Sequence, residues 1–423
     1  MTMSEKALAR ASNKDVVRPG EFLTAKIDVL IFNENSFYDA TERMDQIGQN
    51  KVWDPDKIVV VIDHVVPASD IRYAERQKKV REYVRMYGIR NFYDMGNGIC
   101  HQLMHEKGHA LPGRLIVGAD SHTGTTGAMG AVICGIGVTE AFYVMVKGSL
   151  WFQVPETIRF VLKGSLRNGV SSKDILLHIA GKYTAEVAQY KAIEFTGPAA
   201  KALSIAQRVT MSNMGVELGA KFALFEADDK TLAHLKGRTD QPVKPFGPDP
   251  DAQYLADYEI DISSLEPQIA CPHNVDNVKP VSAIGEVAVH QAFIGSCTNS
   301  QVEDLERAAA ILKGKTIHPG TRLLVIPASR EVYIDIAKSG ALQTFLEAGA
   351  MMGTPGCGPC MGLHMGLLAP GETGIASTNR NFKGRMGSPE SLLYLASPET
   401  VAASAIEGKI TDPRKYLDCS LMA

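Results

Sequence analysis

Three cysteines in two short segments are the residues best suited to carry out chemistry. Cys297 lies in Gly295-Ser296-Cys297-Thr298-Asn299-Ser300, and Cys357 and Cys360 form a C-x-x-C within Gly356-Cys357-Gly358-Pro359-Cys360. A structural zinc site closes its coordination sphere with four ligands, whereas this set offers only three. Three thiolates instead suit an iron–sulfur cluster that leaves one iron open to water or substrate.

Other uses of a C-x-x-C pair fit this sequence less well. A zinc ribbon needs a second pair, which the sequence lacks, and a thioredoxin-like pair opens a helix near the start of its domain. The pair here lies far downstream, after Gly353-Thr354-Pro355. Glycines beside the cysteines would let the backbone approach a bulky cluster. Buried inert thiols are the plain alternative, and we expect that role for Cys100, Cys134, Cys271 and Cys419.

The overall composition is that of an ordinary globular protein. The chain has 423 residues, of which 45% are hydrophobic and 22% charged, and its formal net charge is -3. This length predicts two or three domains, and the lack of a basic tract argues against nucleic-acid or membrane partners.

The N-terminus lacks the apolar core of a signal peptide, and we interpret Ala128 to Phe152 as a buried helix rather than a membrane span. We therefore expect a cytoplasmic protein with reduced thiols.

Short apolar runs alternate with amphipathic stretches, which predicts an α/β fold. The predicted buried strands are Ile58 to Ile62, Arg114 to Val117, Val287 to Ile294 and Arg322 to Ile326. Ser300-Gln301-Val302-Glu303 predicts a capping box for a helix that runs to about Leu312. The segment from Gln241 to Pro250 contains four prolines and reads as a linker.

Polar clusters follow four of the short apolar runs. They are Asp63-His64, Asp120-Ser121-His122, Gly295-Ser296-Cys297 and Asn379-Arg380-Asn381. In open α/β sheets, ligands bind outside the carboxyl ends of the strands. We therefore predict that these four segments converge on one cleft.

Together these motifs resemble the aconitase superfamily, and most closely large subunits of the 3-isopropylmalate dehydratase and homoaconitase type. The resemblance rests on residues 295–300, 356–360 and 379–385, in family order, and extends from about Pro19 to about Pro413. It implies a three-layer α/β/α iron–sulfur fold of three related subdomains, without the fourth, swivelling domain. We place the subdomains at residues 19–165, 166–285 and 286–415, between an N-terminal arm (1–18) and a C-terminal tail (416–423).

The resemblance also implies roles for individual residues. Cys297, Cys357 and Cys360 would hold a 4Fe–4S cluster with one iron that no cysteine ligates. His64 would protonate the leaving hydroxyl and Asp63 would position it. His101, in Gly98-Ile99-Cys100-His101-Gln102, would pair with Asp120, and Glu217 would handle iron-bound water. The substrate-binding residues would be Arg380, Arg385, Ser121 and Asn213, while His122 stays open between a structural and a catalytic role.

Eliminating water beside a carboxylate independently requires these residue types. The step needs a Lewis acid on the leaving hydroxyl, a proton donor active near neutral pH, and bidentate groups for carboxylates. We therefore predict a hydro-lyase for a small 2-hydroxy di- or tricarboxylate, with isomerisation of 2- and 3-isopropylmalate as the first choice. Homoaconitate, 2,3-dimethylmalate, citraconate and maleate are alternatives in the same class. A non-catalytic iron–sulfur sensor or RNA-binding protein is the alternative from another class.

The resemblance further implies a protein partner. The family's catalytic base is a serine on the fourth domain, so a separate small swivel-domain subunit is expected to supply it. Two segments depart from the family pattern, namely Asn33-Glu34-Asn35-Ser36-Phe37 and Thr123-Gly124-Thr125-Thr126-Gly127. Both departures bear on the choice of substrate rather than on the reaction class.

Two other segments imitate motifs that we reject. His105-Glu106-Lys107-Gly108-His109 fits the H-E-x-x-H zinc pattern, which needs an uninterrupted helix. Gly108 weakens such a helix, and Pro112 ends it soon afterwards, so no zinc site is expected. Ser329-Arg330-Glu331 resembles a Ser-Arg segment of the fourth domain, but its place between a strand and a helix predicts an N-cap at Ser329.

Overall fold

The computed structural model of the chain describes residues 1–417, and these fold into two compact units. The first unit comprises Met1–His64, Ala68–Leu162 and Ala188–Ile260. The second comprises Val65–Pro67, Lys163–Val187 and the described residues from Asp261 onward. The three subdomains drawn from the sequence stay a prediction, and most of the predicted C-terminal tail lies outside the described residues.

Thirteen α-helices occur in the described residues. They are α1 Met3–Ala11, α2 Glu34–Gln46, α3 Ile71–Tyr87, α4 Cys100–Glu106, α5 Val138–Lys147, α6 Ser172–Tyr183, α7 Gly197–Ala202, α8 Ile205–Asn213, α9 Asp229–Leu235, α10 Val302–Leu312, α11 Arg330–Ser339, α12 Ala341–Ala348 and α13 Pro398–Glu407. Short 3₁₀ helices cover Pro55–Lys57, Ser121–Met129, Met214–Leu218, Val281–Ala283, Gly358–Met361 and Pro413–Tyr416. Within residues 1–417, none of the helices combines the length and apolar character that crossing a bilayer would require.

The strands are mostly short and buried. They are β1 Phe22–Lys26, β2 Val29–Asn33, β3 Ile58–Val61, β4 Asn91–Tyr93, β5 Leu115–Gly118, β6 Val132–Gly135, β7 Ser149–Gln153, β8 Thr157–Lys163, β9 Ala192–Thr196, β10 Phe222–Phe225, β11 Ala256–Asp261, β12 Gln268–Ala270, β13 Val278–Pro280, β14 Gln291–Ile294, β15 Arg322–Val325, β16 Met351–Met352, β17 Thr373–Ala376 and β18 Leu392–Ala396.

A parallel five-stranded sheet organises the first unit. Its strand order is β4-β3-β2-β5-β6, and every neighbouring pair is parallel. All residues of β2, β3 and β5 are buried, as expected for parallel strands covered on both faces. A second sheet, β10-β9-β8-β11, and an antiparallel ribbon of β1 and β7 complete the unit. The carboxyl ends of β2, β3 and β5 meet at one edge, which brings together the residues that follow them.

A seven-stranded sheet organises the second unit. Its order is β13-β12-β18-β17-β14-β15-β16. The strands from β18 to β16 run parallel, and β12 and β13 extend one edge in the antiparallel sense. One face packs a core that contains Phe293, Leu324, Ile326 and Cys360. One of the predicted cluster ligands therefore belongs to the apolar core of this unit.

Three of the four buried strands predicted from the sequence are confirmed, and the fourth is shorter than predicted. The predictions for Ile58 to Ile62, Arg114 to Val117 and Arg322 to Ile326 are confirmed as β3, β5 and β15. The strand predicted from Val287 begins only at Gln291. Ser329 is confirmed as an N-cap, since its Oγ accepts the backbone N–H of Val332 at 3.1 Å.

Two local predictions are wrong for identifiable reasons. The stretch from Ala128 to Phe152 is not one buried helix but contains β6, α5 and β7. Gly137 and Gly148 bound α5, and Gly148 adopts the left-handed conformation that ends a helix. The predicted capping box is displaced by one residue, because Gln301 is the N-cap of α10 and Asp304 accepts its backbone N–H at 3.0 Å.

A close backbone contact of the 3₁₀ helix Ser121–Met129 gives a testable prediction. A Cβ at Gly127 would lie 2.0 Å from the carbonyl oxygen of Ala223 on β10. We expect Gly127→Ala to lower the free energy of unfolding by about 1–3 kcal/mol, because the backbone must move. Gly124→Ala is the matched control, since its Cβ would meet its nearest atom at 3.8 Å, and we expect a change below about 0.5 kcal/mol. Equal effects in chemical denaturation would contradict the prediction.

Candidate functional site

The first unit brings together six polar residues, which we call the histidine–carboxylate cluster. Its members are Asp63, His64, His101, Asp120, His122 and Glu217. Asp63 and His64 follow β3, and Asp120 and His122 follow β5. Because both strands lie in the same parallel sheet, their carboxyl ends point to the same edge.

The imidazole of His64 lies between two carboxylates. Its Nδ1 is 2.7 Å from Asp63 Oδ1, and its Nε2 is 3.2 Å from Asp120 Oδ2. An ionised carboxylate only accepts hydrogen bonds, so both contacts call for an N–H on the ring. Asp63 is fully buried, and its other oxygen accepts the backbone N–H of Cys100 at 2.6 Å. The arrangement therefore holds the His64 ring between two hydrogen-bond acceptors.

Asp120 is the carboxylate shared by the histidines. Its Oδ1 accepts the backbone N–H of His122 at 2.8 Å and lies 3.3 Å from His101 Nε2. Burial opposes ionisation of Asp120, but the charges of His101, His64 and His122 hold its pKa well below the usual range. Neither ring nitrogen of His101 makes a hydrogen bond, and burial lowers the pKa of His101. The predicted His101–Asp120 pair is thus a close approach of the two side chains, at 3.3 Å, without a hydrogen bond.

The remaining predicted residues of this unit take different positions. His122, left open above, is buried, and its Nε2 lies 2.8 Å from Glu217 Oε1. Asn213 is fully buried and its amide donates to Thr125 Oγ1 at 2.8 Å. Ser121 is exposed at the start of the 3₁₀ helix. The roles given to Glu217, Asn213 and Ser121 stay predictions.

Sequence reasoning missed the contribution of Glu34 to this cluster. Glu34 opens α2 directly after β2 and is fully buried. Its Oε1 accepts the backbone N–H of His64 at 3.0 Å, and its Oε2 accepts that of Asp63 at 3.1 Å. In the sequence, this segment was notable only as a departure from the family pattern that bears on substrate choice. Its place after a buried strand, the rule that selected the other clusters, was the signal that could have found it.

The second unit contains the cysteine set Cys297, Cys357 and Cys360. Cys297 follows β14, and the C-x-x-C pair opens the 3₁₀ helix Gly358–Met361. Asn379 joins the two segments, since its Nδ2 is 3.6 Å from Cys297 Sγ and its Oδ1 is 3.9 Å from Cys360 Sγ. A single amide therefore contacts sulfur atoms from both segments.

Glycines beside these cysteines are required by packing. A Cβ at Gly295 would lie 2.3 Å from the ring of Phe293, and one at Gly358 would lie 2.3 Å from Ile326 Cδ1. Gly358 also has φ of +55°, a left-handed conformation that favours glycine. The glycines thus let both cysteine segments lie directly on the core of the second unit.

The comparisons with known proteins show the family of this chain. A family model described as "Aconitase family (aconitate hydratase)" matches residues 6–287 and 277–408. The chain belongs to the aconitase family. This confirms the predicted resemblance and the aconitase-type α/β fold class. A holo-form aconitase X from Thermococcus kodakaraensis has a related fold, with a TM-score of 0.53, 12% identity and 90% coverage of each chain.

Individual family members are similar over nearly the whole chain. A probable 3-isopropylmalate dehydratase large subunit from Methanothermobacter thermautotrophicus is 49% identical, covering 98% of this chain and 99% of the relative. A 3-isopropylmalate dehydratase large subunit from Methanopyrus kandleri is 50% identical at the same coverages of 98% and 99%. A probable methanogen homoaconitase large subunit from M. thermautotrophicus is 45% identical, with 98% of each chain covered.

Membership of this family implies an iron–sulfur cluster, and the cysteine set fits one. The donors are all sulfur, as iron–sulfur clusters require. Asn379 Nδ2 and Arg385 Nη2, the latter 3.7 Å from Cys360 Sγ, direct N–H groups at the sulfur atoms. Such donors stabilise thiolate ligands and tune a cluster. Arg385 Nε has no hydrogen-bond partner among the described residues, and Arg380 is partly exposed, so their role as carboxylate ligands stays a prediction.

The other cysteines occupy different environments. Cys100, Cys134 and Cys271 are buried, and no disulfide joins the six cysteines that the structure describes. Cys419, for which a structural role was predicted, lies outside the described residues.

The two histidines of the H-E-x-x-H segment contact different partners. His105 lies in α4, whereas α4 ends at Glu106 and His109 lies beyond it. His105 Nδ1 is 3.0 Å from His234 Nε2, and His109 Nε2 is 2.7 Å from the hydroxyl of Tyr93. They therefore do not form the two-histidine face of a zincin helix.

Glu34 provides a test of how the histidine–carboxylate cluster is held. We expect Glu34→Gln to lower the free energy of unfolding by about 1–3 kcal/mol, because an amide NH₂ would face a buried backbone N–H. Glu75→Gln on α3 removes an exposed carboxylate and is the matched control, with an expected change below about 0.5 kcal/mol. Urea denaturation at pH 7 measures both variants, and an effect of Glu34→Gln no larger than the control's would contradict the role.

His109 provides a test in the pH dependence of stability. Burial, with a smaller contribution from Arg114, lowers its pKa from 6.5 to about 4. Below pH 6.5 the unfolded chain binds this proton and the folded chain does not, so stability falls as pH drops towards 4. We expect His109→Gln to reduce this slope by up to about 1.4 kcal/mol per pH unit. His318→Gln removes an exposed imidazole and serves as the matched control; identical slopes in both variants would contradict the assignment.

Proposed function

We propose that this chain is the large subunit of an iron–sulfur hydro-lyase that isomerises 2- and 3-isopropylmalate through the dehydrated intermediate. The similarity over nearly the full length to proteins named 3-isopropylmalate dehydratase large subunit carries this proposal. The residues that dehydration requires support it, because a buried histidine held by carboxylates and a set of three cysteines are both present. We further propose that the protein acts in the cytoplasm, where thiols stay reduced.

His64 donates the proton that leaves with the substrate hydroxyl as water. Its two contacts with Asp63 and Asp120 keep the ring oriented and favour the doubly protonated form. Loss of the proton leaves one N–H on the neutral ring, so only one of the two carboxylates still accepts a hydrogen bond from it. Glu34 fixes the backbone from which this histidine projects. Asp120, His101 and Glu217 complete the polar surroundings of the reaction.

The cysteine set holds a 4Fe–4S cluster whose fourth iron lacks a cysteine ligand. When bound, the cluster supplies a Lewis acid for the leaving hydroxyl. Asn379 and Arg385 direct N–H groups at the ligand sulfurs and so favour their thiolate forms. Arg380 binds a substrate carboxylate in a bidentate manner. Arg385 does the same with the N–H groups that do not contact sulfur. Ser121 and Asn213 complete the proposed substrate-binding set.

The proposed enzyme acts with a small swivel-domain subunit. By resemblance, that subunit supplies the serine that removes the proton from carbon, and it contributes part of the substrate pocket. The relatives' description as large subunits supports a partner of this kind.

Homoaconitate is the second candidate substrate. Two relatives named probable methanogen homoaconitase large subunit, at 45% and 47% identity, favour it over the other hydroxy acids considered above. Both candidates require the same removal of water beside a carboxylate, so a substrate panel must separate them.

Anaerobic reconstitution followed by a substrate panel tests this proposal. The full chain, reconstituted with iron and sulfide and combined with the small subunit, should dehydrate 3-isopropylmalate, and ultraviolet absorbance should rise as the conjugated double bond forms. His64→Gln should lower kcat by roughly 10²–10⁴-fold, because it removes the proposed proton donor. A cluster-loaded complex with no activity on any hydroxy acid of the panel would instead favour an iron–sulfur sensor.

Cysteine variants separate ligands from structural thiols in the same assay. Cys297→Ser should abolish both the visible absorbance of the cluster and the activity, whereas Cys271→Ser should retain both. Full turnover by the large subunit alone would contradict the proposed contribution of the small subunit.

A further inference from the structure

A buried lysine in the second unit has no part in the chemistry described so far. Lys173 is the second residue of α6 and is fully buried. Burial disfavours an ammonium, and the start of a helix repels a cation, because the first N–H groups carry partial positive charge. A lysine at this position therefore needs strong local partners.

The partners of Lys173 are main-chain oxygen atoms next to the cysteine set. Its Nζ donates to the carbonyl oxygen of Ser377 at 3.0 Å and to that of Thr378. These residues directly follow β17 and directly precede Asn379, whose amide contacts Cys297 and Cys360. Lys173 thus fastens the backbone from which Asn379 reaches both sulfur atoms.

The same short segment also supports the Cys297 loop. The hydroxyl of Ser377 accepts the backbone N–H of Gly295 at 3.1 Å and lies 3.3 Å from the carbonyl oxygen of Asn299. Residues 377–379 therefore join the loop that carries Cys297 to the amide that contacts Cys360. A shift of this segment would change the spacing of both cysteine segments together.

The charged groups around Lys173 also connect it with the cysteine set. Burial lowers its pKa to about 7, and the opposing influences come from Cys360, Asp174, Asp304 and Cys297. Two of these four groups belong to the cysteine set. Thiolates and a cluster would increase the negative charge around Lys173, which favours its ammonium form.

We propose that Lys173 is a positioning residue for the iron–sulfur cluster, holding residues 377–379 in place and supplying a buried positive charge beside the cysteine set. This inference rests on the cluster that the proposed function assigns to Cys297, Cys357 and Cys360. A nearby positive charge stabilises the reduced, more negative cluster, so its loss lowers the reduction potential. Loss of the two donated hydrogen bonds loosens the segment and speeds the release of iron.

Three variants of the full chain test these two effects separately. Lys173→Met removes the hydrogen bonds and the charge, Lys173→Gln keeps N–H donors without the charge, and Lys182→Met removes an exposed lysine from the same helix. Each is reconstituted anaerobically, and we measure iron and sulfide per chain, the rate of cluster loss to a chelator, and the potential by redox titration with electron paramagnetic resonance.

We expect Lys173→Met to lose its cluster at least about tenfold faster than wild type, because outer-shell partners typically contribute 10–100-fold to metal retention. Lys173→Gln should lose it more slowly than Lys173→Met, yet both should show a lower potential than wild type. Lys182→Met should match wild type in both measurements. If Lys173→Met does not fold, the potential of Lys173→Gln decides the question.

The experiment distinguishes failure of the positioning role from failure of the proposed function. Wild-type retention and potential in the Lys173 variants, with only a lower melting temperature, would overturn the positioning role and leave the proposed function intact. Failure of the wild-type chain to assemble a cluster would overturn the proposed function itself, and this inference with it.

Discussion

Burying carboxylates at the ends of parallel strands is the constraint on which the first unit's site depends. Asp63 and Glu34 are both fully removed from water. Such groups are stable only where N–H donors replace the lost water. The donors here are the backbone of the turn after β3, the start of α4 at Cys100, and the ring of His64. The carboxylate oxygens of Asp63 and Glu34 therefore fix the end of β3, the start of α4 and the ring of His64 together.

The second unit also places groups that can carry negative charge, here the sulfur atoms of the cysteine set, in a buried environment. The cluster proposed above would bring negative charge into a largely apolar core, where Cys360 packs with Phe293 and Ile326. The side chains of Asn379 and Arg385 direct N–H groups at the sulfur atoms and would offset that charge. Lys173 in turn holds the backbone next to Asn379, because it donates to the two carbonyl groups that precede this residue. In both units the residues proposed to act in the reaction are held by polar atoms that lie on other elements.

How much of this could be predicted from sequence depends on where each residue's partners lie. Strands such as β3 can be predicted from sequence, because a parallel strand that is buried on both faces appears as a continuous run of β-branched residues. His64, Asp120 and Cys297 were selected as candidates because each follows a buried strand, and their roles stay predictions. Glu34 also follows a buried strand and was overlooked. Lys173 was missed because its partners are backbone oxygen atoms distant along the chain, which leave no pattern of side chains. The error over Ala128 to Phe152 arose from reading apolar content while giving too little weight to Gly137 and Gly148, which bound α5.

Selectivity between the two candidate substrates follows from which part of each molecule the site contacts. Relatives named for isopropylmalate and for homoaconitate share 45–50% identity with this chain. Both reactions remove water beside a carboxylate, so in the proposed function the dehydration itself involves the part that the substrates have in common. The variable part is an isopropyl group in one case and a further carboxylate arm in the other. A buried cationic group paired with that arm would be left without its partner by an isopropyl group, a penalty that in polar sites reaches 10⁴–10⁵-fold. An apolar pocket would in turn reject the carboxylate, because the charge would lose its water without compensation. The choice of substrate therefore turns on the charge of the side chains that face this one variable group, whichever subunit supplies them.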